Sequence, residues 1–364
     1  MDHNFIWAVK TAKKNITYKE IITLKERDDL FDESTINIKS REYVRTLKSF
    51  EKAHKMGCHV ITYIDERYPE CLREIPLPPP VLYVMGNPEI LNDVVYAGFV
   101  GARKSDDYGK LMAQTLAMEV GCTGAGIVSG GAEGVDGASH EGALRAKAPT
   151  IAVLGSGLDR LYPSCNIDLF RRIVQNGGAL ITEYPFGEPP RGSNFPRRNR
   201  IIAAFSTAVA VVRAGARSGS LITASQAMDL NRTVFAVPGN IDNRLSKGTN
   251  ELIRDGALLL LSSMDIIDEL IAKKPDFFVR TKEKKKKTFF NKPADKMEIK
   301  LPNALLGLSG YEREVAELIQ SGFNTQTLME EKISFEPSRL TGLLSMMEIK
   351  GIIKKGPDKK YKLQ

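Results

Sequence analysis

The chain has 364 residues, of which 42% are hydrophobic, and a formal net charge of +8. This length predicts two or three domains, and the apolar content is enough to give each of them a core. The longest mostly apolar stretch, Ile201–Val212, is shorter than the roughly 18 residues of a membrane span, and residues 1–14 do not have the pattern of a secretory leader. We therefore expect a cytoplasmic protein without a membrane partner.

The positive charge is concentrated in one segment near the carboxyl-terminal third of the chain. Residues 273–300 contain eleven Lys or Arg against four Asp or Glu, so the rest of the chain is close to neutral. Specific binding of an anion must therefore come from arginines placed locally rather than from a uniformly basic surface.

A small unit and a connector precede the alternating strands and helices. Residues 1–58 are predicted to form a small helical domain, because apolar residues recur through it at helical spacing. The following stretch, up to Gly86, contains Tyr68, Pro69, Pro76 and the triple proline 78–80, which is typical of an extended connector at the edge of a sheet.

From Tyr96 to about Leu270, short apolar runs alternate with helical stretches. The predicted strands are Val94–Val100, Gly126–Ser129, Thr150–Leu154, Ala179–Glu183, Ala208–Val212, Val234–Val237 and Ala257–Leu261. Strict alternation of strand and helix predicts an α/β fold with a doubly wound, mostly parallel sheet, which we assign to residues 59–272. Sheets of this kind bind ligands beyond the carboxyl ends of their strands.

A lysine-rich flexible linker is predicted over residues 273–303, and a third unit over residues 304–364. The third unit has the order of three helices followed by a short β pair, which is the pattern of a winged helix. Its last predicted helix has a single cation, Arg339, and is otherwise mostly apolar. This composition favours an interaction or architectural role over direct reading of a DNA groove.

Glycine, serine and arginine follow several strands of the predicted sheet. Gly101–Ser105 comes after the first strand, Ser129–Asp136 after the second and Arg213–Ser220 after the fifth. Glycine lets backbone amides approach an anion, and a helix N-terminus adds a partial positive charge. Because these strand ends share one edge, we expect the loops to form a single phosphate-binding rim.

The segment Arg191–Arg200 contains four arginines and Phe195. Guanidinium groups match phosphate oxygens in pairs, and an exposed aromatic ring can stack on a base that is not held in a duplex. The segment therefore predicts binding of single-stranded nucleic acid, although a solvated basic loop with a buried phenylalanine is an alternative interpretation when it is considered alone.

Two common nucleotide motifs are absent from the sequence. The second loop resembles a dinucleotide fingerprint only loosely, and the next strand, with the residues up to Gly155, lacks the acidic residue that would bind a ribose. No phosphate-binding P-loop pattern occurs either. We expect neither NAD binding nor ATP hydrolysis, and no cofactor.

Several motifs together resemble the DprA/Smf family of DNA-processing proteins, over about residues 60–272. They are Gly101–Ser105, Ser129–Asp136, Phe195–Ile202, Ser218–Ala224 and Ala236–Gly239. The resemblance implies an extended Rossmann-like core, a homodimer, binding of single-stranded DNA, and delivery of that DNA to the recombinase RecA in natural transformation.

The resemblance also implies which residues line the DNA groove: Arg103, Ser129, Gly130, Phe195, Arg197, Arg198, Arg200 and Arg217. The strand-end loops and the arginine-rich segment add Gly101, Arg191, Asn194, Asn199, Ser218 and Gly219 as candidate contacts. The chain departs from the family pattern at Arg213, where an acidic residue is usual, and at the paired glycines 130 and 131.

Catalysis finds little support in the sequence. Related folds include nucleotide-ribose hydrolases that use a glutamate, but Thr223 stands at that position here and a hydroxyl is not a general base near neutral pH. Asp136 and His140 are spaced for an ion pair or a helix cap. The four cysteines and four histidines lack the spacing of a metal site or a triad. We expect a binding protein that is not an enzyme; a nucleotide-sensing or nucleotide-ribose-processing protein is the alternative.

Overall fold

The computed structural model describes residues 2–12, 16–73, 75–281, 310–320, 325–330, 333, 337–350, 352–356 and 360–363. Contacts within the chain divide it into two compact units, residues 1–290 and 291–364.

A nine-stranded sheet forms the centre of the first unit. Its strands are β1 His59–Thr62, β2 Val81–Gly86, β3 Tyr96–Val100, β4 Gly126–Ser129, β5 Thr150–Val153, β6 Ala179–Thr182, β7 Ser206–Val211, β8 Thr233–Ala236 and β9 Leu258–Leu259. Their order in the sheet is β1-β2-β6-β5-β4-β3-β7-β8-β9. The seven strands from β3 to β9 are joined by parallel pairs, as the alternation of strand and helix predicted.

The proline-rich stretch before β3 forms the antiparallel edge of the sheet. β1 pairs with β2, and β2 pairs with β6, both antiparallel. The sequence predicted only an extended connector here. The prolines 78–80 end immediately before β2, so that they remove no hydrogen-bond donor from the strand itself.

Up to Lys273, the described part of the first unit contains twelve α-helices, which lie around the sheet. They are α1 His3–Lys10, α2 Tyr18–Lys25, α3 Arg41–Lys55, α4 Glu70–Arg73, α5 Ile90–Asp93, α6 Asp107–Cys122, α7 Val135–Arg145, α8 Ile167–Gln175, α9 Asn194–Phe205, α10 Gly219–Asp229, α11 Lys247–Arg254 and α12 Ser263–Lys273. Helix α12, which the sequence analysis did not predict, packs against α6 and β7.

Both faces of the parallel strands are buried, as expected for a doubly wound sheet. Ala97 and Phe99 of β3 pack into a core with α6, α7 and α12. Tyr96 and Val100 of the same strand pack into a second core with α9 and α10 on the opposite face. The period of two along a strand thus divides the helices into two layers.

The strands that follow β3 in the chain lie on both sides of β3 in the sheet. β4, β5 and β6 follow on one side of β3, whereas β7, β8 and β9 lie on the other side. The connections after β3 and β7 therefore diverge, which opens a crevice at the carboxyl ends of these two neighbouring strands.

The amino-terminal helices are part of the first unit rather than a separate body. The indole Nε1 of Trp7 donates to the carbonyl of Pro80 at 3.0 Å. On α3, Arg45 pairs with Glu188 at 2.7 Å and Lys52 with Asp159 at 2.6 Å. The predicted domain of residues 1–58 is therefore joined to the rest of the first unit by apolar packing and by ion pairs.

The second unit has the predicted element order. It contains α13 Gly310–Gln320, α14 Gln326–Glu330 and α15 Pro337–Ile349, followed by the antiparallel strands β10 Ile353–Lys355 and β11 Tyr361–Leu363. Val315, Leu340, Met347 and Tyr361 belong to its core. Its assignment as a winged helix stays a prediction.

The start of the predicted linker is helical instead of flexible. Helix α12 ends at Lys273, and residues 275–281 are again helical, with Phe278 buried against the α6 side of the sheet. Residues 282–303 of the predicted linker lie outside the described residues.

Replacing Tyr68 by Phe tests how the connector is held. Tyr68 is fully buried, and its hydroxyl donates to the carbonyl of Pro79 at 2.8 Å. Tyr68→Phe leaves that carbonyl without this partner, so we expect the free energy of unfolding of the first unit to fall by about 1–2 kcal/mol. Denaturation can be followed by the fluorescence of Trp7, the single tryptophan. Tyr18→Phe, at an exposed site, is the control and should change nothing. Equal stability of both variants would contradict the assignment.

Candidate nucleic-acid interface

A cleft of about 260 Å³ lies where the chain diverges from β3 and β7. Seven of the predicted contact residues line it: Gly101, Arg103, Phe195, Arg198, Asn199, Ser218 and Gly219. They come from the loops after β3 and β7, from the first two turns of α9 and from the start of α10. The structure therefore brings together residues that are more than a hundred positions apart in the chain, at the edge where parallel strands bind ligands.

Phe195 and Arg103 form a pair at this cleft. The guanidinium carbon of Arg103 lies 4.9 Å from the centroid of the Phe195 ring, within the range of a cation–π contact. The ring packs over Gly155, where an added Cβ would come within 2.9 Å of it. Arg103 is exposed and Phe195 is half-buried. A cation and an aromatic surface are thus held next to each other.

Helix α10 directs its first turn at the cleft. Ser218 is its N-cap residue, and the first turn contains no acidic side chain. Gly219 is exposed there, and Gly219, Ser220 and Thr223 all line the cleft. The positive end of a helix dipole and the hydroxyl groups favour an anion, as the sequence predicted for this loop.

Arg198 lies beneath the cleft and is 4% exposed. Its Nη1 donates to the carbonyl of Gly130 at 2.8 Å and to that of Val153. Burial lowers the pKa of this guanidinium to about 10, the charge of Asp136 opposes the shift, and the charge of Arg103 adds to it. Arg198 is therefore still a cation at neutral pH, but it is bonded to backbone carbonyls rather than exposed along a groove as predicted.

Asp136 is the acidic group beside Arg198. An added Cβ at Gly130 would come within 2.6 Å of Arg198 Nη2 and 2.7 Å of Asp136 Oδ2, so this glycine leaves room for both side chains. Burial raises the pKa of Asp136, and the charge of Arg198 opposes that shift. The backbone N–H of Ala132 donates to this carboxyl group at 3.3 Å. The loop Ser129–Asp136 is therefore folded around a buried carboxyl group and a buried guanidinium group.

Arg200 is committed to an internal ion pair, in contrast to its predicted place in the groove. Its Nη1 and Nη2 lie 2.6 and 2.7 Å from the two carboxylate oxygens of Glu183. Nε donates to the carbonyl of Leu77, which belongs to the connector. Arg197 Nη2 is 3.5 Å from the same carboxylate. The periodicity of α9 directs Arg200 towards the protein interior. The number of arginines in the segment does not show which of them face inward.

Other predicted contacts hold the loops in place. The Ser129 hydroxyl donates to the carbonyl of Phe99 at 2.6 Å and is fully buried. The Asn194 amide donates to the carbonyl of Gly155 at 3.0 Å, and the Asn199 amide to that of Gly219 at 3.4 Å. These three side chains therefore connect the cleft's loops to the sheet and to one another.

Arg191 and Arg217 are exposed. Arg191 Nε lies 3.0 Å from Glu188 in a surface pair. Tyr162, which the sequence analysis missed, adds a second ring 5.7 Å from that of Phe195. The sequence could have indicated Tyr162, because it is an aromatic residue shortly after the glycine-rich loop Gly155–Gly157.

Asp136 and His140 do not pair with each other as their spacing had suggested. His140 Nδ1 is 2.8 Å from the hydroxyl of Thr150, which itself donates to the carbonyl of Ile127. The imidazole therefore donates through Nδ1, and its buried Nε2 has no hydrogen-bond partner among the described residues. Burial lowers the pKa of His140 to about 3, and the charge of Arg198 adds to the shift. This histidine is neutral and bonded to the sheet.

Breaking the Arg200–Glu183 pair should cost much stability. Glu183→Gln leaves a buried guanidinium without its counter-charge, and we expect the free energy of unfolding to fall by about 3–5 kcal/mol in chemical denaturation. Glu188→Gln is the matched control, because the arginine partners of Glu188 are exposed; its effect should stay below about 1 kcal/mol. A similar small loss in both variants would show that the Arg200 pair is not buried.

His140 should make stability fall in acid. Its pKa in the folded chain, about 3, lies below the ordinary value near 6.5, so only the unfolded chain takes up a proton between these values. This contribution is complete above about pH 6.5 and is lost as the pH falls towards 3. Between pH 7.5 and 5, His140→Gln should therefore lose about 2 kcal/mol less than the natural chain in denaturation experiments.

The control for this pH dependence is His54→Gln, at an exposed position. This variant keeps the buried imidazole of His140, so the fall of stability in acid should persist. Parallel stability curves for His140→Gln and the unaltered chain would contradict the buried neutral imidazole.

Comparison with protein families and known proteins gives consistent matches. The family model described as DNA recombination-mediator protein A matches residues 59–271. Protein Smf of Synechocystis is 39% identical over 64% of this chain and 59% of its own length. The chain therefore spans about three fifths of that relative.

Two solved structures are similar to this chain. DNA processing protein A from Streptococcus pneumoniae has a TM-score of 0.60 and 32% identity, covering 74% of this chain and 98% of that one. A structure of DNA processing protein A from Helicobacter pylori, described as giving insight into its single-stranded DNA binding mode, has a TM-score of 0.54 and 32% identity, covering 59% of this chain and 96% of that one.

Among the described residues, no helix combines the length and hydropathy that crossing a bilayer requires.

Proposed function

Because the chain belongs to the family of DNA recombination-mediator protein A, we propose that it binds single-stranded DNA at the cleft between the carboxyl ends of β3 and β7. The observation that carries this proposal is the pair formed by exposed Arg103 and half-buried Phe195. A guanidinium beside an aromatic ring suits one phosphate and one adjacent unpaired base.

The interface favours a single strand over a duplex for a physical reason. A base can stack on Phe195 only when it has left its own stack, which costs energy in a duplex but little in a single strand. The phosphates would meet Arg103, exposed Arg217 and the first turn of α10. None of these groups reads a base edge, so we expect weak sequence preference and strong dependence on salt.

Binding without bond-breaking is part of the proposal. The acid–base candidates near the cleft are Asp136 and His140, and both are buried in contacts with the protein itself. Within the described residues, no cluster of His, Cys, Asp or Glu suits a metal ion. We propose that the residues of the cleft hold and orient the strand and act as neither nucleophile nor general base.

Dimer formation and delivery of DNA to RecA in natural transformation are the further steps of the proposal. β9 is the last strand of the sheet, and Leu258, Leu259 and Leu261 at this edge are 50%, 44% and 75% exposed. Apolar side chains on an open edge strand favour pairing with a second copy of the chain. The resemblance to the family is the support for a RecA partner, and the cytoplasm is where that partner acts.

A small nucleotide is the alternative ligand. The cleft's volume of about 260 Å³ is close to the lower end of the range for small-molecule sites, roughly 300–1,000 Å³. A nucleotide-sensing protein would bind a mononucleotide about as tightly as an oligonucleotide of the same base. A polymer-binding cleft should require several linked phosphates, because each adds its own release of counterions.

Two substitutions test the proposed interface. Arg103→Ala should weaken binding of a labelled oligothymidine and reduce the slope of log affinity against log salt by about 0.7, the value for one phosphate of a single strand. Phe195→Ala should weaken binding by about 1–3 kcal/mol through lost stacking and leave that slope unchanged. Fluorescence anisotropy over a salt series measures both quantities.

Arg254→Ala serves as the control for these substitutions. Arg254 is an exposed cation at the end of α11, and it pairs with Asp255 rather than lining the cleft. Its loss should alter neither the affinity nor the slope. Equal affinity of the unaltered chain for single-stranded and duplex DNA, or unchanged binding by Arg103→Ala and Phe195→Ala, would contradict the proposed interface.

A further inference from the structure

Arg213 lies two residues after the end of β7 and is 5% exposed. A buried guanidinium is costly unless charge and hydrogen bonds compensate it. The compensation here comes from two separate parts of the chain, the start of α6 and Ser246. Nε lies 3.2 Å from Asp106 Oδ1, Nη1 donates to the Ser246 hydroxyl at 2.7 Å, and the guanidinium carbon lies 4.5 Å from the Tyr108 ring centroid.

The backbone of Arg213 also contacts the segment 102–106, which is the loop after β3. The N–H of Ala102 donates to the carbonyl of Arg213 at 2.7 Å. Asp106, at the far end of the loop, meets the Arg213 side chain and also caps α6 by accepting from the N–H of Gly109 at 2.8 Å. One residue therefore fixes both ends of the segment 102–106, and Arg103 lies between these two points.

Glycines leave space for this guanidinium. An added Cβ at Gly109 would lie 2.5 Å from Arg213 Cγ, and one at Gly239 would lie 2.8 Å from Arg213 Nη1. A side chain at either position would force the arginine to move. The loops around Arg213 are therefore built closely about its extended side chain.

We propose that Arg213 is a positioning residue of the interface, which holds the loop 102–106 so that Arg103 stands over Phe195. This inference rests on the proposed function. Arg213 itself is too deeply buried to reach a phosphate, and its effect on DNA passes through Arg103. The residue thereby converts the end of β7 into a support for a cation that belongs to the loop after β3.

A double-mutant cycle separates positioning from general stabilisation. Arg213→Gln should weaken oligothymidine binding roughly five- to tenfold in the unaltered chain. In an Arg103→Ala background the same change should weaken binding less than about twofold, because the residue that it positions is already gone. The experiment uses the full chain and fluorescence anisotropy.

Asp106→Asn provides a second variant, in which the new side chain at position 106 can still form hydrogen bonds. Asparagine is as good an N-cap as aspartate, so α6 should be retained while the charge that faces Arg213 is removed. We expect the same dependence on Arg103, with a smaller loss of affinity.

Arg73→Gln is the matched control. Arg73 is also held by a carboxylate, Glu70, and by aromatic rings, with its guanidinium carbon 5.3 Å from Tyr63 and 5.1 Å from Tyr68, but none of these residues lines the cleft. It should lower stability without changing DNA affinity.

Hydrogen–deuterium exchange gives a readout that does not need DNA. In Arg213→Gln the amides of residues 102–106 should exchange faster, while those of β5 keep their protection. Unchanged exchange in this loop would overturn the inference. So would an unchanged affinity of Arg213→Gln and Asp106→Asn, or an equal loss with and without Arg103.

The proposed function can fail separately. If the unaltered chain bound no oligothymidine, both proposals would be wrong as statements about DNA. If it bound DNA and Arg103→Ala weakened binding while Arg213→Gln had no effect, the proposed function would stand and this inference alone would be wrong.

Discussion

The hydrogen bonds from buried Arg198 to the carbonyls of Gly130 and Val153 connect α9 to the loop after β4 and to the end of β5. A cation at this depth needs partners, and Asp136 and the two carbonyls provide them. Because these contacts fix the first turns of α9 against the sheet, they also fix where Phe195 lies. The shape of the cleft depends on this one guanidinium, although its own charge hardly reaches solvent.

The arginines around the cleft thus divide into two groups with different physical roles. Arg198, Arg200 and Arg213 are buried and bonded to carboxylates or carbonyls, so they determine the positions of loops and helices. Arg103 and Arg217 are exposed and are the groups that can meet a phosphate. Affinity for an anion then comes from few cations, held on a support whose own guanidinium groups have partners inside the protein.

The alternation of strands and helices was enough to predict the parallel part of the sheet and the edge on which the loops converge, because both follow from local patterns. The pairing of β1 with β2 was not predicted, since the prolines before β2 indicate an extended chain but not its partner. The ion pair of Arg200 with Glu183 was also missed. It joins α9 to the end of β6, and only the packed structure shows which side of α9 faces inward. The sequence therefore predicted which loops would be neighbours at the site, but not which of their side chains would be exposed and which buried.

Photochemical cross-linking of an oligothymidine that contains 5-iodouracil identifies the ring on which a bound base lies, because the excited base reacts with an aromatic ring on which it is stacked. We expect an adduct on the tryptic peptide Gly192–Arg197, which contains Phe195, and its loss in Phe195→Leu. Adducts confined to peptides from residues 291–364, or unchanged in Phe195→Leu, would contradict an interface at the carboxyl ends of β3 and β7.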